Sequence, residues 1–345
     1  MRQTLFSIAA AMSILLGAET AQAATDPNCQ KALEYSAARR GAAVLVLRNG
    51  EVVCEGYAGE GAPEKGMEIA SGTKSFSGMM LAAAVQDGLI KLDEPVSVTI
   101  TEWRDDPAKA KVTIRELLNL TAGLRSRGVA APTYAEAIGF SFTAAPGAAY
   151  QYGAAPFQVF GEVMRRKLVA AGQDPDPYVY LTRRILAPIG LRPSNWRRNL
   201  KSGDLLLPQG AILTVREWVK FGELVRAGGR HKGRQLVDPA TFRAQFEGSK
   251  VNPAYGVTWW LPNPTTSTDV VTAVNDINRD PAMTRYMVLA AGAGDQRLFV
   301  VPSQGLVIAR LASFDMAQAL APREQRREPQ GPAWSDAAFA RFFLN

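Results

Sequence analysis

A serine with a lysine three positions on, followed by a long apolar run, is the stretch best placed to do chemistry. It reads Ile69-Ala70-Ser71-Gly72-Thr73-Lys74-Ser75-Phe76, then Met79-Met80-Leu81-Ala82-Ala83-Ala84-Val85. If a helix begins near Ser71, positions i and i+3 lie on one face, and the hydroxyl and the amine are neighbours. The serine then also sits at the positive end of the helix dipole, which favours a developing alkoxide. A lysine serving as base to a serine is one way to build a nucleophile. The structural alternative is that Ser and Lys are common, and that a serine at a helix start is usually an N-cap.

Two other stretches could complete such a site. Pro146-Gly147-Ala148-Ala149-Tyr150-Gln151-Tyr152-Gly153 is a turn presenting aromatics ahead of a helix. A tyrosine beside a lysine can carry a proton, since a neighbouring cation favours phenolate; otherwise it is a core aromatic with a satisfied hydroxyl. Ala290-Ala291-Gly292-Ala293-Gly294-Asp295-Gln296 offers small residues on a strand, where a substrate can approach the backbone. An N–H there, with that of Ser71, makes an oxyanion hole; the alternative is a bend or bulge. The single histidine, His231, lies in Gly228-Gly229-Arg230-His231-Lys232-Gly233, an exposed turn, so the general base is expected among Lys, Tyr, Asp or Glu.

The elements that must position these residues follow from local pattern. A helix is expected from Cys29 to Arg39. Ala42 to Arg48 and Glu51 to Ala58 flank Asn49-Gly50, the strongest short hairpin signal. From about 91 to 205 the pattern is helical, with Thr113 and Glu116 spaced as a capping box, an amphipathic helix from Phe157 to Ala171 and another from Tyr178 to Ile185. Strands return at Tyr255–Leu261, Tyr286–Ala291, Arg297–Pro302 and Leu306–Leu311; 322–332 is a loop, and Asp336–Leu344 a closing helix. The expected class is α+β: an antiparallel sheet flanked by helices, with 24–90 and 206–345 forming the sheet domain and 91–205 an inserted helical domain.

Of the 345 residues 47% are hydrophobic and 21% charged, which excludes wholesale disorder. Arg2, the apolar run Leu5 to Leu16 and Ala21-Gln22-Ala23 read as an export signal over residues 1–23, too short to span a bilayer comfortably. The expectation is a periplasmic or secreted protein without a stable membrane span after cleavage; the alternative is an uncleaved anchor. Losing Arg2 and Glu19 leaves the net charge at +7, which suits anionic envelope partners or simply solubility. No basic repeat or zinc-finger spacing points to nucleic acid. Outside the cytoplasm, Cys29 and Cys54 are expected as a disulfide, the alternative being two buried thiols. Two cysteines and one histidine make no ordinary zinc site, and no cofactor is expected.

Taken together and in this order, the three motifs resemble the serine β-lactamase and penicillin-binding-protein superfamily, in particular its branch of class C β-lactamases, D,D-peptidases and carboxylesterases. Ser71-Gly72-Thr73-Lys74 matches the nucleophile motif, Tyr152 the tyrosine motif, and Gly292-Ala293-Gly294-Asp295-Gln296 stands at the third. Leu117-Leu118-Asn119-Leu120-Thr121-Ala122-Gly123-Leu124, Tyr255–Leu261 and Val300-Val301-Pro302 add support, and the likeness covers roughly 30–345. It implies an acyl-enzyme route, with Ser71 as nucleophile, Lys74 and Tyr152 sharing the proton work, and backbone N–H groups of Ser71 and of Gly294 or Asp295 holding the oxyanion.

Two departures bear on substrate. The tyrosine motif runs Tyr152-Gly153-Ala154 where the family often has Asn at the third place, and the third motif offers Ala and Gly where β-lactamases and D,D-peptidases usually have Lys or His. Arg285 and Arg297 are the candidates to replace that cation. The expectation is a serine hydrolase of esters, small amides or cell-wall-derived compounds. The alternatives are a weak β-lactamase or D,D-peptidase, and a non-catalytic envelope-binding protein of the same fold.

Overall fold

The computed structural model describes residues 26–124, 130–265, 275–280, 283, 286–315, 318, 325 and 331–344. The expected export signal and most of the 322–332 loop lie outside them. The chain opens with helix α1 (Cys29–Ala37) and the hairpin of β1 (Gly41–Arg48) and β2 (Glu51–Tyr57). Asn49 and Gly50 both take positive φ, 54° and 87°, as a two-residue turn matched to the strand twist requires. The Cys29–Cys54 disulfide is present, with Cα atoms 5.3 Å apart, and ties α1 to β2.

Strand β3 (Met67–Glu68), a 3₁₀ turn over Ala70–Thr73 and helix α2 (Lys74–Gln86) follow. α2 is buried on nearly every side, the place for a helix without a polar stripe. Next come α3 (Ile114–Leu118), α4 (Tyr134–Gly139), α5 (Ala155–Ala170) and α6 (Pro177–Leu181), the last continued by a π turn over Thr182–Leu186. The Thr113–Glu116 capping box is formed, and Thr133–Glu136 makes a second one ahead of α4. Strands β4 (Asn195–Trp196) and β5 (Ala211–Leu213) join β3 in a small sheet ordered β3-β5-β4. β4 thus falls inside the 91–205 span read as a helical insertion.

After α7 (Val215–Arg226), the hairpin of β6 (Arg230–His231) and β7 (Arg234–Gln235), α8 (Pro239–Ala244) and α9 (Asn275–Arg279), the main sheet is completed. Its last strands are β8 (Val288–Gly292), β9 (Gln296–Val301) and β10 (Leu306–Ala312), and α10 (Asp336–Ala340) closes the chain. The sheet is antiparallel with order β2-β1-β10-β9-β8. Alternation along β9 defines its two faces. Leu298 points to Gly222 of α7, whereas the ring of Phe299 lies 6.3 Å from that of Phe339 on α10. This is the expected α+β arrangement, with β8 at the edge of the sheet.

Tyr255–Leu261 is not a strand. Gly256 N–H bonds Trp259 O at 2.9 Å and Thr258 takes φ 74°, so the segment closes a tight turn on itself. Only single bridges remain, Tyr255 to Trp260 and Trp260 to Leu289. Its aromatic and β-branched residues favour a strand, but here they fill the core behind the cleft, and packing overrides propensity.

Candidate active site

Ile69 and Ala70 deliver the chain to Ser71 through a sharp bend. Ala70 has φ 46°, a left-handed conformation that residues with a side chain seldom take. Ser71 therefore lies within the 3₁₀ turn and does not cap α2, which has no side-chain cap. The i, i+3 placement is realised: Lys74 Nζ donates to Ser71 Oγ at 2.9 Å and to Pro208 O at 3.1 Å. Ser71 stays half-buried while Lys74 is buried. Burial brings the amine down from 10.5 to about 7. At neutral pH a large fraction is unprotonated, and that form can take the hydroxyl proton.

The Tyr152 ring centroid lies 4.8 Å from Lys74 Nζ. Burial pushes the phenol up to about 12, and the nearby Ser71 hydroxyl and the charge of Arg297 pull it back only partly. The sequence argument for phenolate is thereby corrected. Loss of solvent outweighs the Ser71 hydroxyl and the Arg297 charge, so Tyr152 keeps its proton and is suited to donate it. Trp260 stacks on its ring at 5.5 Å, and Tyr255 meets it edge-on at 6.2 Å. The phenol is held by an aromatic wall that no motif announced.

Pro208 was also invisible in the sequence. Its carbonyl bonds the lysine, and the amide absent at Ala154, the buried N-cap of α5, leaves that place open. Neighbouring bonds hold the Pro208 loop. Arg197 pairs with Glu68 at 2.7 Å and donates to Gln209 O at 3.2 Å, and Gln158 Oε1 accepts from Leu207 N–H.

Gly294 and Asp295 form the turn after β8, where Asp295 pairs with Arg40 at 3.0 Å and Gly294 lies against Phe314. The residue pressed on the nucleophile segment is Gly292, where a Cβ would come within 2.1 Å of Ile69 O. Backbone parity then selects the donor. Leu289 gives both its N–H and its C=O to Trp260, at 3.0 and 2.9 Å, away from β9. Alternation turns the N–H of Ala291 the same way, out of the sheet edge beside the Ala70–Thr73 turn. Ser71 N–H, in the first turn of its helix, lacks an intrahelical acceptor. That parity makes Ala291, three residues before Gly294 and four before Asp295, a candidate strand partner for the Ser71 N–H.

Of the two candidate cations, Arg285 lies outside the described residues, and Arg297 is fully buried behind the sheet, paired with Asp336 at 2.7 Å. His231 stands on the β6–β7 hairpin. Among the described residues no group of three His, Cys, Asp or Glu side chains could hold a metal, and no helix is long and apolar enough to cross a membrane.

Residues 21–328 match a model described as Beta-lactamase. An uncharacterized protein of Alkalihalophilus pseudofirmus is 34% identical over 94 residues, which are 25% of this chain and 27% of that protein, so the match spans about a quarter of the relative. Among solved structures, a penicillin-binding protein homolog from Caulobacter crescentus superposes with TM-score 0.64 at 18% identity, covering 84% of this chain and 93% of that one. A family VIII carboxylesterase gives 0.62 at 15%, covering 84% and 93%. A beta-lactamase from Mycobacterium bovis gives 0.58 at 19%, covering 88% and 96%. At these identities the superpositions speak for the fold.

Proposed function

The chain belongs to the Beta-lactamase family, and from that premise we propose that it is an exported serine hydrolase working through an acyl-serine intermediate, on carboxylic esters or small amides. One observation carries the reading: a hydroxyl, an amine 2.9 Å from it brought down to about 7 by burial, and a protonated phenol beside that amine meet from two stretches of chain. Lys74 takes the Ser71 proton as Oγ bonds the substrate carbonyl carbon and the carbonyl electron pair moves to oxygen. Ser71 and Ala291 N–H groups receive that oxyanion. As the tetrahedral adduct collapses, Tyr152 protonates the leaving oxygen or nitrogen and is reprotonated from Lys74. A water, deprotonated by Lys74, then bonds the acyl carbon; the Oγ–acyl bond breaks as that adduct collapses, the acid leaves, and Lys74 returns the proton to Ser71 Oγ.

The cleft chemistry supports an uncharged substrate. Alanine and glycine line β8, Arg297 is turned away from it, and a substrate carboxylate finds no cation on that strand. This weighs for ester or amide cleavage over β-lactam or D,D-peptide cleavage. Fluorophosphonate labelling followed by peptide mapping tests the mechanism: the label is expected on Ser71, and Ser71→Ala removes both label and turnover. Label elsewhere, or turnover surviving the substitution, removes the proposal. A second reading, a non-catalytic envelope-binding protein, draws on Ala154 and the missing cation. A panel of p-nitrophenyl esters, a chromogenic cephalosporin and a D-Ala-D-Ala peptide separates the two: ester turnover supports the hydrolase, and silence on all three with an intact fold supports the binder.

A further inference from the structure

Arg297 stands on β9 opposite Ala291 of β8, with its side chain on the α10 face. It has no exposed surface. A charge held so deep is costly unless its surroundings compensate it. Nε donates to Asp336 Oδ1 at 2.7 Å, Nη1 donates to Gly292 O and Gln296 O at 2.9 Å each, and Nη2 lies 3.6 Å from Asp295 Oδ1. Asp336 Oδ1 also accepts from Trp334 Nε1 at 2.8 Å, and Arg310 Nη1 donates to Asp295 O at 2.7 Å. The turn after β8 is therefore gripped from the C-terminal helix and from β10.

The other side of Gly292 touches the nucleophile segment, with Ile69 O and Ala70 Cβ against its Cα. Ala70 is the residue in left-handed conformation just before Ser71. A continuous line of contacts runs from Asp336 through Arg297 and Gly292 to the bend that presents Ser71.

We infer that Arg297 is a positioning residue for the Ser71 site, fastening the end of β8 to α10 and so setting the strand N–H edge against the nucleophile turn. The inference rests on the hydrolase reading for its consequence but on the contacts alone for the brace. The charge of Arg297 favours the ionised form of Tyr152 from behind the sheet, although it touches no substrate.

Two readouts test it on the full chain. Arg297→Met keeps the stem and removes the donors; Asp336→Asn keeps the shape and the Oδ1 acceptor but loses the charge. Hydrogen exchange read by mass spectrometry reports the brace whether or not the chain hydrolyses anything. Peptides covering 288–296 in Arg297→Met are expected to exchange at least about ten-fold faster, with β10 unchanged and Asp336→Asn intermediate. Turnover of p-nitrophenyl acetate reports the consequence: kcat is expected to fall by about ten- to a hundred-fold with KM within about two-fold, because a small misplacement acts on the transition state. Arg297→Lys, which keeps the charge but not the fork, is expected to recover at most part of it. Folded Arg297→Met with unchanged exchange, or with faster exchange and unchanged kcat, overturns the inference. Should Arg297→Met not fold, wild-type exchange and kcat in Asp336→Asn overturn it. Wild-type protein that takes no label at Ser71 is instead a failure of the hydrolase reading.

Discussion

Lys74 Nζ and Ser71 Oγ lie 2.9 Å apart across one turn, and the amine is buried with no carboxylate bonded to it among the described residues. Only the neutral amine can take the serine proton, so kcat/KM for a neutral ester is expected to rise with pH through about 7 and then level off. Stability moves the same way. The folded value lies below the ordinary 10.5, so between about 7 and 10.5 the unfolded chain binds the extra proton, and stability increases with pH across that window. Below about 7 both states are protonated and the full cost of burying the charge remains. Lys74→Met is expected to lower turnover by at least about a thousand-fold while raising the melting temperature at pH 7. A pH–rate profile and calorimetry check this; a flat profile through neutrality contradicts the assignment of the base.

The phenol of Tyr152, pushed up to about 12 by burial, stays protonated through the working range and adds no alkaline limb near neutrality. Tyr152→Phe keeps the stacking on Trp260 and removes only the donor. The expected loss in kcat is about a hundred- to a thousand-fold, with little change in thermal stability. A loss below about three-fold would show that another group protonates the departing atom.

The Cys29–Cys54 bond closes a loop of 25 residues between α1 and β2, on the opposite edge of the sheet from β8. The chain-entropy relation assigns such a loop about 3.5 kcal/mol. Cys29→Ser with Cys54→Ser is expected to lower unfolding free energy by about that amount in urea, while the remaining folded protein hydrolyses ester at the wild-type rate. Lost activity at a denaturant-free temperature well below the midpoint would mean that α1 reaches the site.

What could be read in advance was local. The Asn49-Gly50 hairpin, the Thr113–Glu116 cap and the Ser71–Lys74 spacing are each decided within a few residues, where backbone geometry leaves little choice. Pro208 meets Lys74 across 134 positions, and Asp336 meets Arg297 across 39, with no periodic trace. For the oxyanion donor the stretch is legible and the residue is not. A run of Ala and Gly does not say where the strand ends, and parity comes only from the Leu289–Trp260 bridge. Tyr255–Leu261 and the charge state of Tyr152 were misjudged for one reason: both are set by packing around the aromatic wall, which local composition does not encode.

Gly292 and Gly294 separate the two placements of that donor. Alanine at 292 puts a methyl 2.1 Å from Ile69 O, a backbone atom one residue from the strained Ala70, so either β8 or the Ser71 turn has to shift. Alanine at 294 is strained by φ 73° and by the ring of Phe314, but that ring lies on the far side of the turn from Ile69. Both substitutions are expected to cost about 1–3 kcal/mol of stability. They part in catalysis. Gly292→Ala is expected to lower kcat by at least about ten-fold, because the N–H edge moves against the nucleophile, while Gly294→Ala stays within about three-fold. The reverse order, measured on folded protein with one ester, would return the oxyanion contact to the turn and remove Ala291 from the site.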